Sequence, residues 1–110
     1  MKGSVIVNGQ VMTQEKYKQA VITTLEENNN KWMTCDEMVE WASHHNLCER
    51  KNAYRKAMSH PLWKIISNMM EEKNPVITRM SNINNVFIYK LKVSNVYIDK
   101  NGRRWVRRQK

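Results

Sequence analysis

Asn74-Pro-Val-Ile-Thr-Arg-Met-Ser-Asn-Ile-Asn-Asn-Val-Phe-Ile-Tyr-Lys-Leu91 is the stretch in which the periodicity of the chain changes. Before it, apolar residues recur every three or four positions. Within it they alternate and are rich in β-branched and aromatic types, the composition of a half-buried pleated surface. Asn74-Pro75 breaks the helical pattern, and residues 76–80 and 85–91, joined by Ser81-Asn-Ile-Asn84, read as an antiparallel hairpin. Helices followed by a hairpin place the chain in the α+β class.

Upstream, Pro61 sets the next boundary, because inside a helix it removes a hydrogen bond and clashes with the preceding turn, a cost of ~3 kcal/mol. At a first helical position it is tolerated, so a segment through Leu62, Ile65, Ile66, Met69 and Met70 is predicted to start there. A preceding helix is expected from about Glu49 to Ser59, with Ala53, Tyr54, Ala57 and Met58 inward and Arg50, Lys51, Arg55 and Lys56 outward. Before that, Thr34 and Glu37 have the spacing of a capping box, and Met33 with Met38 fits the flanking apolar staple. This helix presents Met38, Val39, Trp41 and Ala42 and closes at His44-His-Asn-Leu47. A first helix over about residues 14–28 is capped by Thr13, carries Tyr17, Val21, Thr24 and Leu25 on one stripe, and ends at Asn28-Asn-Asn30. Asn8-Gly9 between two apolar runs predicts a small N-terminal ribbon.

Downstream, Val96-Tyr-Ile98 and Arg104-Trp-Val106 are expected to form one more hairpin around Asp99-Lys-Asn-Gly102. The last twelve residues hold six of the nineteen Lys and Arg and one acidic side chain, so about half of the formal +9 lies in a ninth of the sequence. With a pI near 9.8, this balance concerns partners and solubility rather than fold. Nucleic acid is the expected partner, ahead of an anionic membrane surface and an acidic protein. In a strand, Arg103, Trp105 and Arg107 share one face, and Arg104, Val106 and Arg108 the other. Trp105 packs on Tyr97 across the hairpin or stacks on a base, and the Arg heads are expected to stay free.

At 110 residues with 41% hydrophobic and 26% charged residues, the chain is expected to fold around one core. Its organisation is read as residues 1–95, with the N-terminal ribbon, followed by a basic hairpin or tail over 96–110. No run of eighteen apolar residues is present, and the start lacks the long apolar core of a signal peptide. Cys35 and Cys48 suit a reducing compartment, so a cytoplasmic protein without membrane attachment is expected. Thirteen Asn and twelve Lys beside three Gly suggest an AT-rich genome, bacterial or phage.

A helix, a capped helix, a basic helix and a hairpin ending in Ile88-Tyr-Lys-Leu91 resemble the winged helix-turn-helix superfamily over about residues 14–92. The resemblance implies three to four helices followed by a β-hairpin wing, flanked here by the short N- and C-terminal hairpins. It also implies contacts from the wing tip, through Arg79, Asn82 and Asn84, to a minor groove or backbone; the plainer reading of the Asn residues is turn geometry. Pro61 departs from the pattern by inserting a helical segment between the basic helix and the wing. Arg50, Lys51, Asn52, Arg55 and Lys56 are the expected major-groove face, with Arg suited to guanine and Asn to adenine.

Histidines 44, 45 and 60 and the two cysteines lack zinc-ligand spacing. Neither Cys lies in a nucleophile signature, and the isolated Gly3, Gly9 and Gly102 build no phosphate loop. No enzyme, cofactor or metal is therefore expected. The expected function is binding of double-stranded DNA as a transcriptional regulator or nucleoid-associated factor, through Arg50, Lys51, Asn52, Arg55, Lys56, Arg79, Asn82, Asn84, Arg103, Arg104, Trp105, Arg107 and Arg108. A protein-interaction module docking on an acidic partner or the transcription machinery, and an RNA or single-strand binder, are the alternatives. The oligomeric state is left open; a two-fold operator would require a homodimer.

Overall fold

The computed structural model of the chain describes residues 6–7, 9–50, 59–93 and 96–106. Thr13 Oγ1 accepts a bond from the Lys16 amide and starts helix α1, Gln14–Glu27. The predicted stripe of α1 faces the core: Tyr17, Ala20, Val21, Thr24 and Leu25 are buried. The buried Thr24 hydroxyl is satisfied by donating to Ala20 O at 2.6 Å. Asn29 and Asn30 stop the helix by adopting φ of 60° and 53°, left-handed values that asparagine tolerates better than most residues.

Helix α2, Cys35–His44, starts with the predicted capping box: Glu37 N donates to Thr34 Oγ1 at 3.0 Å and Thr34 N to Glu37 Oε1 at 2.9 Å. Such a cap is worth about 0.5–2 kcal/mol. Met33 and Met38 are both buried around it. Past the helix, Asn46 takes φ 59°, Leu47 N donates to Ala42 O, and Leu47 packs on the core. Helix α3, Pro61–Met70, has Pro61 in its first turn as expected and buries Leu62, Ile65, Ile66 and Met69 against α1 and α2. The helix expected over 49–59 is not met at its start, since Glu49 and Arg50 are not helical; residues 51–58 lie outside the described residues.

The hairpin of the opening stretch is present as β4, Ile77–Ser81, and β5, Phe87–Leu91, paired from Ile77↔Leu91 to Ser81↔Phe87. A strand absent from the sequence reading joins it. Met33–Thr34 (β3) pairs antiparallel with β5 through Met33↔Tyr89 and Thr34↔Ile88, giving a three-stranded sheet in the order β3-β5-β4. The residues read only as a helix cap are thus also a sheet edge. Two independent ribbons complete the chain: Ile6–Val7 with Gln10–Val11 around Gly9, and Val96–Ile98 with Arg104–Val106. With three helices and a small antiparallel sheet among the described residues, the fold is α+β.

His60 is the least expected member of the core. It is fully buried and caps α3, Nδ1 accepting from Leu62 N at 3.0 Å, which leaves Nε2–H to donate to Glu49 O at 2.8 Å. Glu49 in turn accepts from the Tyr17 hydroxyl through both carboxylate oxygens at 2.8 and 2.9 Å. One imidazole therefore ties α3 to the segment after α2, and one phenol ties that segment to α1. Replacing His60 with Ala removes a cap and the shorter of two bonds to Glu49 O, which the Cys48 thiol also meets at 3.4 Å, and opens a void, so a loss of about 3 kcal/mol in urea unfolding is expected. His60→Asn, which keeps a capping oxygen, should recover about 1 kcal/mol of it. A loss below about 1 kcal/mol in His60→Ala would show that the imidazole is not a tie.

Candidate nucleic-acid interface

The tip of the β4–β5 hairpin is organised by one side chain. Asn82 Oδ1 accepts from the amides of Asn84 (2.8 Å) and Val86 (3.0 Å), its carbonyl accepts from Asn85 N (3.0 Å), and its amide donates to Val86 O (2.9 Å). Asn85 closes the turn at φ 61°. Of the two asparagines expected to contact a ligand, Asn82 thus has its side-chain oxygen committed to the turn. Asn84 is exposed, and its side chain makes no hydrogen bond among the described residues.

Arg79 lies opposite Tyr89, and its guanidinium stands 4.2 Å from the centroid of the Phe87 ring. The Tyr89 hydroxyl is pushed above its ordinary pKa, mainly by burial, with the neighbouring Cys35 acting in the same direction and Arg79 opposing it. Arg79 is exposed and held in place by stacking, which limits the entropy lost when it meets an anion.

The C-terminal hairpin is closed by Asp99. Its carboxylate accepts from the Trp105 indole N–H (2.7 Å) and from the amides of Asn101 and Arg103 (2.9 Å each), and Gly102 turns the chain at φ 79°. The indole bond, followed by the Arg103 amide, holds the Asp99 carboxyl below its ordinary range. Tyr97 and Trp105 are register partners, as expected. Trp105 remains 47% exposed while its N–H is committed to Asp99.

Arg104 corrects the expectation that the arginine heads stay free. Its guanidinium donates to Asn29 Oδ1 (3.1 Å), Glu26 O (3.1 Å) and Glu27 Oε2 (3.2 Å). The last turn of α1 has no basic residue of its own, so Arg104 supplies the cation that a helix C-terminus favours, from 75 residues away. Arg103 and Arg50 are exposed. Lys51, Asn52, Arg55, Lys56, Arg107 and Arg108 lie outside the described residues. The residues bracketing the basic segment are joined by the Glu49–His60 hydrogen bond.

Acidic residues gather elsewhere. A groove of about 490 Å³ beside α2 is lined by Asp36, Glu37, Glu40, His44 and Trp41, whose ring stacks on His45 at 3.7 Å. Trp41, expected on the core face, is half-buried: it packs on the core and also forms a groove wall. Among the described residues, no three His, Cys, Asp or Glu side chains are grouped as a metal requires. Burial pushes the Cys35 thiol up to about 11 and the Cys48 thiol to about 12. Thiolate, the reactive form, is correspondingly scarce at neutral pH.

Asp99, His60 and Glu27 were not among the expected site residues. The Asp-Lys-Asn-Gly turn offered a local signal for Asp99, whereas Glu27 meets Arg104 only through the tertiary fold. Because Asp99 has a depressed folded pKa, its support of the hairpin is complete above the ordinary carboxylate value of 3.8 and is lost as pH falls through the lower folded value. The Trp105 indole N–H resonance should titrate with a midpoint below 3.8. A midpoint at or above the ordinary value would dissolve the Asp99–Trp105 bond as the hairpin's lock.

No family model, curated protein or solved structure matches the chain, so its function rests on its own residues.

Proposed function

We propose that the protein is a winged-helix-like, non-catalytic binder of double-stranded DNA, of the kind that serves a bacterium or phage as a regulator or nucleoid-associated factor. The observation that carries this reading is β3. A two-residue strand between the first two helices pairs with the far strand of the hairpin in the order β3-β5-β4, the arrangement that turns a terminal hairpin into a wing. Charge supports it: residues 73–98 contain Lys73, Arg79, Lys90 and Lys92 and no Asp or Glu. Arg50, Lys51, Asn52, Arg55 and Lys56 supply the groove-facing contacts, and Arg79 and Asn84 the wing contacts. Arg103, Arg107 and Arg108 supply a phosphate clamp. Arg104 holds that clamp to the body, Trp105 closes it on Asp99, and Asn82 shapes the wing.

Affinity should be mostly electrostatic, because phosphate contacts position a protein while base edges specify its site. In mobility shifts with duplex DNA, log K against log salt should fall with a slope of about −5 to −7, corresponding to six to eight phosphates. A chain ending at Asn95 should bind all sequences more weakly, with a slope flatter by about 3 to 4, since Arg104 is committed to α1. A slope near zero for the full chain would overturn the reading. Absence of any duplex shift, with an acidic partner or RNA retained, would assign the basic surface to one of those instead.

A further inference from the structure

Ile83 stands at the extremity of the β4–β5 hairpin and is 96% exposed. Turn geometry does not demand it, since the left-handed position belongs to Asn85 and the closing bonds belong to Asn82. The turn is rigid, so the side chain is presented rather than merely loose. Beside it lies the exposed Asn84 amide, and behind it Arg79 is held over Phe87. Arg79 is the cation nearest this tip, Lys73, Lys90 and Lys92 lie towards the base of the hairpin, and residues 73–98 hold no carboxylate, so the partner surface that suits the tip is anionic. It must also offer a narrow apolar slot next to hydrogen-bond acceptors.

A duplex has this combination in its minor groove: phosphate walls, acceptor atoms on the base edges, and an apolar interior between stacked base pairs. We infer that Ile83 is a wedge that enters a base step from the minor groove, opens it and bends the duplex away from the protein, while the Asn84 amide bonds to the adjoining base edges. This rests on the DNA-binding reading above. The cost of unstacking is smallest at pyrimidine–purine steps, so TA and CA steps are the preferred sites of insertion. An anionic membrane also joins charge to an apolar interior. However, burial of one isoleucine contributes roughly ten- to a hundredfold in partition. That is too little for stable attachment, which a single acyl chain barely achieves.

The test is a duplex of about 30 base pairs, short beside the persistence length of DNA. It carries a donor–acceptor pair on its ends and 2-aminopurine next to a central TA step. Binding of the full chain should raise both energy transfer and 2-aminopurine fluorescence. Ile83→Ala should bind roughly tenfold more weakly, with both signals lost. Ile83→Leu should keep both signals. Since the side chain is almost wholly exposed, neither substitution disturbs folding, which circular dichroism checks. Duplex binding with no bend in the wild type, or an unchanged bend in Ile83→Ala, would overturn the wedge and leave the DNA reading standing. Failure to bind any duplex would overturn both, and Ile83-dependent binding to phosphatidylserine–phosphatidylcholine vesicles would then identify the tip as a membrane probe.

Discussion

Strand β5 is where the helical part of the chain and its long hairpin are registered to one another. It has a neighbour on each side, β3 and β4, and its end is also held from the turn that follows α1: Leu91 N donates to Asn30 Oδ1 at 2.7 Å, and Asn30 Nδ2 donates to Leu91 O at 3.1 Å. One asparagine side chain thus imitates a strand peptide at the point where β3 has not yet begun. Because side chains alternate across a sheet, a slip of one residue would send Tyr89 and Leu91 out of the core and point Lys90 into it. The burial pattern of five residues therefore fixes the direction in which the hairpin leaves the body.

Polar groups do much of the tying in this small core. Thr24, His60, Tyr17 and Asn30 each reach a partner that a purely apolar side chain could not hold, and among the described residues no buried side-chain nitrogen or oxygen is left without a partner. A domain of this size has limited apolar area to bury, so satisfied polar links contribute specificity where packing alone would permit alternatives. They also bring the surface into register with the core. Tyr17 and His60 both hold Glu49, at the start of the basic segment that His60 itself follows.

Local chemistry made much of this fold legible. The capping box at Thr34, the proline opening α3, the change of period after Pro75 and the two Asn-Gly turns each depend on residues within a few positions of one another, and each element stands where that chemistry places it. What escaped is long-range. Two residues are too few to show alternation, so β3 was hidden inside the capping signal. The Asn30–Leu91 and Arg104–Glu27 contacts span 61 and 77 residues and have no periodic trace. Among the site residues, the asparagine of the turn was legible as turn chemistry, whereas the commitment of Arg104 depended on how the C-terminal hairpin docks.

That docking separates the chain into contacts made quickly and contacts made late. The C-terminal hairpin carries its own closure between Asp99 and Trp105, six residues apart, whereas its attachment through Arg104 must find Glu26, Glu27 and Asn29 across most of the chain. Short loops close in tens of nanoseconds and hairpins in microseconds, while distant pairings wait for the intervening chain to order. The turn of the hairpin can therefore close before its seat exists, although two short strands are stable only once docked. Contact range, as well as charge, distinguishes the C-terminal hairpin from the body it joins.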